Sequence, residues 1–226
     1  MKLVTPLHII TAPILIVVIL LAIVRGCDSS DDDKYVTCGS AIKLTHVESG
    51  GNYFLNSDER QLQSGSGQQL VTVAEDNRSP QGLWQVREAH DEGNIVPPAC
   101  LTGAPVPCGK TIRLNHIVTG SNLHTHGIRS PLSNQQEVSG FGRDGSTDLG
   151  DDWIVVCNTG HWKRDTPMQL RSAATNRYLG ASSSVKFTEQ NCGRGCPILN
   201  HLELFGREAN DLYTQWKVEL GVHLHK

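Results

Sequence analysis

The chain of 226 residues contains three copies of one sequence unit, and this repetition constrains its fold more than any other feature. The best-matched segments read VTCGSAIKLTHV at residues 36–47 and VPCGKTIRLNHI at residues 106–117. The copies span about residues 36–90, 106–157 and, with a looser match, 166–220. Each has a tryptophan near its end, at Trp84, Trp153 and Trp216. Tandem units of this kind indicate an architecture in which neighbouring repeats share one core.

Each copy alternates apolar and polar residues over short stretches, as at Ile42 and Leu44 in the first copy and Ile112 and Leu114 in the second. Period-two alternation between clusters of Ser, Gly and Asn predicts short strands joined by turns. Several such strands per copy, three times over, bury their edges only by closing on themselves. We therefore predict an all-β fold, a β-trefoil over residues 36–220, with the three tryptophans as equivalent core residues.

An apolar segment precedes the repeats. Residues 7–24 are almost wholly apolar and only Lys2 is charged before them, which indicates a signal peptide or an uncleaved signal-anchor over residues 1–26. Both alternatives direct the repeats into the secretory pathway, and membrane contact is expected only through residues 7–24, if they are retained. An acidic linker is predicted at 27–35 and a tail at 221–226.

The cysteines and one N-glycosylation sequon are compatible with the secretory pathway, where disulfides form and asparagines are glycosylated. Six of the seven cysteines lie in the repeat region, where disulfides are their expected state. Closeness in sequence favours Cys100–Cys108 and Cys192–Cys196, which leaves Cys38–Cys157, although sequence alone leaves other pairings open. Asn77 begins a candidate N-glycosylation sequon.

Several motifs together resemble the MIR repeat: CGxxI[KR]LxH in the first two copies, TGSNLHTH at 119–126, SPLSNQQEV at 130–138 and DDW at 151–153. In number and order the copies look like those of the stromal cell-derived factor 2 family. The resemblance implies a β-trefoil of three MIR repeats that resides in the endoplasmic reticulum and has a non-catalytic role in protein quality control. It also implies association with a lumenal J-domain co-chaperone and Hsp70. MIR repeats occur in protein O-mannosyltransferases as well.

The chain departs from the family pattern in two places. The Leu-His-x-His element stands only in the second copy, at 123–126, whereas the matching residues read LNSD at 55–58 and LGAS at 179–182. The last residues, HLHK at 223–226, differ from the retrieval tetrapeptide that is common in the family. Residence in the lumen of the endoplasmic reticulum is therefore expected from the resemblance alone.

Two groups of polar residues in the second copy are candidate binding residues. His124 and His126 stand two apart on a predicted strand and project to one face, where they could contact a partner or ligand or hydrogen-bond turn backbone. No further ligands at zinc-like spacing accompany them, so we predict no metal. Gln135, Gln136 and Glu137 could bind a sugar hydroxyl or satisfy a buried turn. His46 and His116, at matched positions, are expected to pack in the core, with Ser172 in their place in the third copy.

The sequence favours a binding protein over an enzyme. Asp151 and Asp152 are adjacent, and neighbours on a strand point to opposite faces, so they cannot flank one glycosidic bond. No nucleophile-elbow sequence is present, and we predict no cofactor. The net charge of −3 argues against nucleic acid as a partner. The hypotheses are a quality-control factor that binds chaperone complexes or misfolded client glycoproteins, a lectin-like glycan-binding module, and an accessory module of an O-mannosyltransferase.

Overall fold

The computed structural model describes residues 34–63, 65–75, 78–90 and 100–224. Within these ranges the chain forms twelve β-strands. The strands are β1 (Ala41–His46), β2 (Phe54–Gln61), β3 (Gln69–Ala74), β4 (Trp84–Glu88), β5 (Thr111–His116), β6 (Asn122–Arg129), β7 (Gln136–Phe141), β8 (Trp153–Val156), β9 (Gln169–Ser172), β10 (Tyr178–Lys186), β11 (Leu202–Arg207) and β12 (Trp216–Val222). One short helix, α1 (Glu189–Cys192), lies between β10 and β11. The predicted signal or anchor, nearly all of the acidic linker, and Asn77 lie outside the described residues.

Six strands close into a barrel and six form hairpins. The barrel order is β1–β4–β5–β8–β9, and β12 completes it by pairing with β1 and by bridging Trp216 to Met168, next to β9. The hairpins β2–β3, β6–β7 and β10–β11 meet through mutual pairing of β3, β7 and β11. This is the predicted β-trefoil. Within the described ranges, no helix is both long enough and apolar enough to span a bilayer.

The three repeats bury their tryptophans in the same way. Trp84, Trp153 and Trp216 have no exposed surface. Their indole N–H groups donate to the carbonyls of Leu55, Leu123 and Leu179, at 3.1, 2.9 and 2.9 Å. A buried indole keeps its large apolar contact area only if its single N–H finds a partner. The same solution in all three repeats confirms the tryptophans as equivalent core residues.

A ring of three backbone hydrogen bonds closes the barrel floor. The amide of Val36 donates to the carbonyl of Trp162 at 2.9 Å, that of Val106 to Val36 at 2.9 Å, and that of Trp162 to Val106 at 2.8 Å. All three residues are fully buried. Val36 and Val106 open the first two repeats, so Trp162 is their third-repeat counterpart, although it precedes the start at residue 166 that the looser sequence match predicted.

The disulfide pairing corrects two of the three predictions. Cys192–Cys196 forms as predicted, but Cys38 pairs with Cys100 and Cys108 with Cys157, so Cys100–Cys108 and Cys38–Cys157 are wrong. The reason lies in the barrel floor. The Gly39 amide donates to Val86 in β4 and the Gly109 amide to Val155 in β8, so the Cys-Gly that opens each of the first two repeats lies beside the end of the same repeat. Cys38 and Cys108 are therefore equivalent, and each pairs with a cysteine that follows the last strand of its own repeat.

Candidate functional site

The second repeat contains a cluster of histidines and carboxylates, and the positions that match its two histidines hold other residues in the first and third repeats. Strand β6 places His124 and His126 on one side, with their rings edge to face and 5.1 Å between centroids. His124 is buried at 3% exposure, whereas the side chain of His126 is 26% exposed. The predicted common face therefore exists, and it presents one buried and one accessible imidazole.

His124 contacts the turn that precedes β8. Its Nδ1 lies 2.9 Å from Oδ1 of Asp151 and 3.5 Å from Oδ1 of Asp148. The same carboxylates cap the 3-10 turn Leu149–Asp151, because Asp148 accepts from the Gly150 amide at 2.7 Å and Asp151 accepts from the Asp148 amide at 3.1 Å. The turn approaches so closely that a Cβ on Gly150 would lie 2.3 Å from the imidazole of His124. A residue with a side chain at position 150 would overlap the ring, so the turn can lie this close to His124 only with glycine there.

His126 contacts a buried carboxylate that joins two repeats. Its Nε2 lies 3.2 Å from Oε1 of Glu137, a side chain with 1% exposure. Glu137 also accepts from the amide of Ser66 at 3.2 Å and from the Ser66 hydroxyl. Ser66 belongs to the loop between β2 and β3 of the first repeat, so Glu137 holds that loop and orients His126 at the same time.

The candidate binding residues Gln135 and Gln136 form hydrogen bonds to other residues of the protein. The Gln136 amide donates to the hydroxyl of Thr125 at 2.6 Å and to that of Thr175, in the third repeat, at 2.9 Å. Gln69 makes the equivalent pair of bonds one repeat earlier, to Ser57 and Thr119, each at 2.8 Å. Gln135 accepts from the Ser130 amide through its backbone carbonyl. These bonds favour the structural interpretation of the glutamines.

The two histidines at matched positions of the first and second repeats are core residues, as expected. The rings of His46 and His116 lie 4.9 and 4.8 Å from those of Trp216 and Trp84, and both histidines are fully buried. Burial lowers the pKa of each imidazole below its ordinary value. Ser172 is opposite Trp153 in register, as His46 is opposite Trp216, which makes it the third-repeat counterpart.

The adjacent aspartates before Trp153 lie in a different setting from the one expected. Asp151 ends a 3-10 turn and does not lie on a strand. The two carboxylates nevertheless diverge, since Asp151 contacts His124 while Asp152 accepts from the amide and Nδ1 of His90, at 2.9 and 2.7 Å. Neither the role of Asp148 and Asp151 nor that of His90 was predicted. The capping pattern D-x-x-D at 148–151 is the signal that could have revealed the turn.

One nitrogen and two carboxylate oxygens of this cluster are close enough to consider as metal ligands. The ligand atoms of His124, Asp148 and Asp151 lie within 4.8 Å of one another. Both carboxylates, however, already accept the N–H groups that form the capped turn. That engagement favours a hydrogen-bonded cluster, and the absence of a bound metal stays a prediction.

Comparison with known proteins gives the same architecture. The MIR domain model matches residues 34–157. Human stromal cell-derived factor 2-like protein 1 is 35% identical over 213 residues, which is 94% of this chain and 89% of that protein. The crystal structure of the SDF2-like protein from Arabidopsis thaliana superposes with a TM-score of 0.74 at 30% identity, over 84% of this chain and 98% of that one. In the Saccharomyces cerevisiae protein O-mannosyltransferase Pmt1-Pmt2 complex bound to the sugar donor, one chain superposes with a TM-score of 0.70 at 26% identity, over 84% of this chain and 26% of that one.

The fold, the repeat spacing and these matches define a β-trefoil of the MIR type. The chain belongs to the stromal cell-derived factor 2 family. Its three disulfides fit a protein of the secretory pathway.

Proposed function

We propose that the protein is a non-catalytic quality-control factor of the endoplasmic reticulum, which binds a lumenal J-domain co-chaperone with its Hsp70, or misfolded client glycoproteins. The observation that carries the proposal is the exposed edge of the second-repeat cluster, where His126 and Asp148 reach solvent. The side chain of Asp148 is 54% exposed. The buried carboxylates of Glu137 and Asp151 contact His126 and His124 and so support this edge. A polar surface supported by buried hydrogen bonds is suited to recognition, because its geometry is set before the partner arrives.

The chemistry of the cluster supports binding over catalysis. Both imidazoles contact carboxylates, and within the described ranges neither hydrogen-bonds a hydroxyl that could act as a nucleophile. The six cysteines of the described residues are all in disulfides, so none of them offers a thiolate. The carboxylates of Asp151 and Asp152 point to different partners, so they do not form the pair that glycoside hydrolysis requires.

A second candidate is a glycan-related role, as an accessory module in O-mannosylation or as a lectin-like module. The observation that favours it is the superposition of this trefoil on part of a chain in the Pmt1-Pmt2 O-mannosyltransferase complex. Imidazole and carboxylate groups at the His126 edge are also suitable hydrogen-bond partners for sugar hydroxyls. In this case the partner would be an O-mannosyltransferase or a mannosylated client.

Binding experiments with purified components separate the two candidates. Immobilised full-length protein is exposed to a lumenal J-domain co-chaperone with and without Hsp70, and separately to manno-oligosaccharides. His126→Ala is the test variant, and His161→Ala, an exposed histidine on the barrel floor, is the matched control. Co-chaperone binding that is lost in His126→Ala alone supports the quality-control proposal. Sugar binding with the same pattern supports the second candidate, and binding unaffected by His126→Ala contradicts the assignment of this edge.

A further inference from the structure

The three hairpin loops of the trefoil are held in two different ways. Glu137, the second residue of β7, accepts the Ser66 amide of the β2–β3 loop at 3.2 Å. Glu203, the second residue of β11, accepts the Leu132 amide of the β6–β7 loop at 2.6 Å. The second residue of β3 is Leu70, which has no carboxylate for the β10–β11 loop. We call each glutamate–loop contact a clasp. Among the described residues no glutamate of another repeat contacts the β10–β11 loop itself, although Glu48 accepts from the amide and the hydroxyl of Ser183 in β10, at 2.9 and 2.7 Å.

An apolar cluster replaces the missing clasp. Leu70 and three residues of the β10–β11 loop form a second, smaller core, separate from the barrel core. Partly buried residues from the other two hairpin loops pack against it. The members are Leu70, Phe187, Cys196 and Ile198, with Leu62, Leu132 and Cys192 around them. The Cys192–Cys196 disulfide is therefore part of the contact that attaches the third loop to the rest of the trefoil.

One hydrogen bond at the base of this loop reaches another repeat, between Nδ1 of His201 and the hydroxyl of Thr72 at 2.9 Å, and the remaining hydrogen bonds of the loop are local. Across the described residues, those made by 188–200 end within the loop or at its base, as from the Cys192 amide to Thr188 and from the Asn200 amide to Phe187, both at 2.9 Å. Since backbone bonds to a neighbouring repeat are lacking, the shape of the loop depends on its own turns, its apolar contacts and its disulfide.

The disulfide lies at an accessible tip. Gly193 and Gly195, between the two cysteines, have φ values of 91° and 75°, and a Cβ added at either would meet nothing within 4 Å. Arg194 between them is exposed, and Cys192 is partly exposed while Cys196 is 9% exposed. An incoming thiolate can therefore approach the disulfide from solvent at Cys192.

The two floor disulfides are in a different situation. Two backbone bonds join Cys38 to the segment that follows Cys100, from the Cys38 amide to Ala104 and from the Gly103 amide to Cys38, each at 2.9 Å. The Cys108 amide donates to Gly160 at 2.9 Å. Thiols held side by side by the fold have a high effective concentration and re-form their disulfide readily. A thiol pair in a loosened five-residue loop has a lower effective concentration.

We propose that Cys192–Cys196 is a thiol–disulfide exchange site, and that its opening releases the β10–β11 loop and uncovers the apolar cluster beneath it. A thiolate of a dithiol reductant, such as a thioredoxin-class protein, attacks Sγ of Cys192, and Cys196 leaves as a thiolate that takes up a proton. The second thiolate of the reductant then attacks the mixed disulfide. Cys192 is released as a thiol and the reductant becomes a disulfide, so two electrons pass to the protein. This inference goes beyond the proposed function and holds whichever partner the His126 edge binds.

Graded reduction of the oxidised full-length protein with dithiothreitol, acid quenching, alkylation and peptide mass spectrometry tests the proposal. Half-reduction of Cys192–Cys196 is expected at roughly tenfold lower reductant than either floor disulfide requires. An apolar dye that fluoresces on exposed hydrophobic surface should brighten over the same range, while the near-ultraviolet circular dichroism of the buried tryptophans is retained. Earlier or simultaneous opening of Cys38–Cys100 or Cys108–Cys157, or no change in dye binding, overturns it.

The variant Cys192→Ser/Cys196→Ser isolates the release of the loop from other effects of the reductant. It should bind the dye without reductant as the reduced wild type does, and should not respond further at low dithiothreitol. Dye binding equal to that of the oxidised wild type overturns the proposal. If this variant does not fold, the titration of the wild-type protein decides.

Discussion

Nδ1 of His124 lies 2.9 Å from Oδ1 of Asp151, a carboxylate that has no solvent-exposed surface. The two residues come from elements that all three repeats share, a hairpin strand and the 3-10 turn before a barrel strand. At the same positions the first repeat has Asn56 and Gly82, and the third has Gly180 and Thr214. The second repeat therefore has a histidine–aspartate pair at positions where the other two repeats share its backbone structure but have other side chains.

Replacing Asp151 with Ala should destabilise the protein by about 3 kcal/mol, because it removes the nearer carboxylate of a buried imidazole and half of a capping box. Urea unfolding followed by tryptophan fluorescence measures the change in the free energy of unfolding. Asp144→Ala, which removes an exposed carboxylate that accepts from the neighbouring Ser146, is the matched control and should leave the midpoint nearly unchanged. Equal losses in the two variants would contradict a special role for Asp151.

Gly150→Ala should be destabilising by about 2 kcal/mol, since the new methyl group overlaps the imidazole of His124 and the carbonyl of Thr125. Gly127→Ala on the same strand as His124 is the control, because a Cβ there meets nothing within 4 Å. The two variants are compared by thermal unfolding and by the ring proton resonances of His124. The prediction fails if Gly150→Ala leaves those resonances in place.

Each glutamate clasp should be independent of the other. Glu137→Gln weakens a charge-assisted hydrogen bond to Ser66, so the amide of Ser66 should exchange with solvent roughly tenfold faster, while that of Leu132 is unchanged. Glu203→Gln should produce the reverse pattern. Hydrogen exchange measured by mass spectrometry resolves the two loops, and parallel acceleration of both loops in either variant would argue for one cooperative unit.

Stability should fall as the pH is lowered through about 6.5. Burial lowers the pKa of His46, His116 and His201 from the ordinary value of 6.5. Between each lowered pKa and 6.5 the unfolded chain binds more protons than the folded one, so the contribution of these histidines is complete above 6.5 and is lost as pH falls toward the folded pKa. Urea midpoints measured from about pH 7.5 to 5.5 test the sign. His116→Gln should reduce the pH dependence, and an unchanged slope would exclude His116 as a contributor.

The cysteines show where reasoning from sequence needed one further step. Cys38 and Cys108 were already matched by the repeat, in the two Cys-Gly pairs that open the first and second copies. Applying the same equivalence to their partners would have favoured Cys38–Cys100 and Cys108–Cys157 over pairing by closeness. The rule of closeness succeeds only for Cys192–Cys196, because that disulfide lies within a single loop.

The sequence by itself determined the all-β trefoil and its tryptophan core, because three copies of a period-two pattern leave strand edges that only closure can satisfy. It also indicated His124 and His126 as the element in which the second repeat differs from the others. Only the tertiary structure decided what these histidines contact. Asp151 and Glu137 reach them because the turn before β8 and the neighbouring strand β7 pack against β6, and Ser66 reaches Glu137 from another repeat. Such contacts depend on the packing of distant segments, which local residue patterns do not encode.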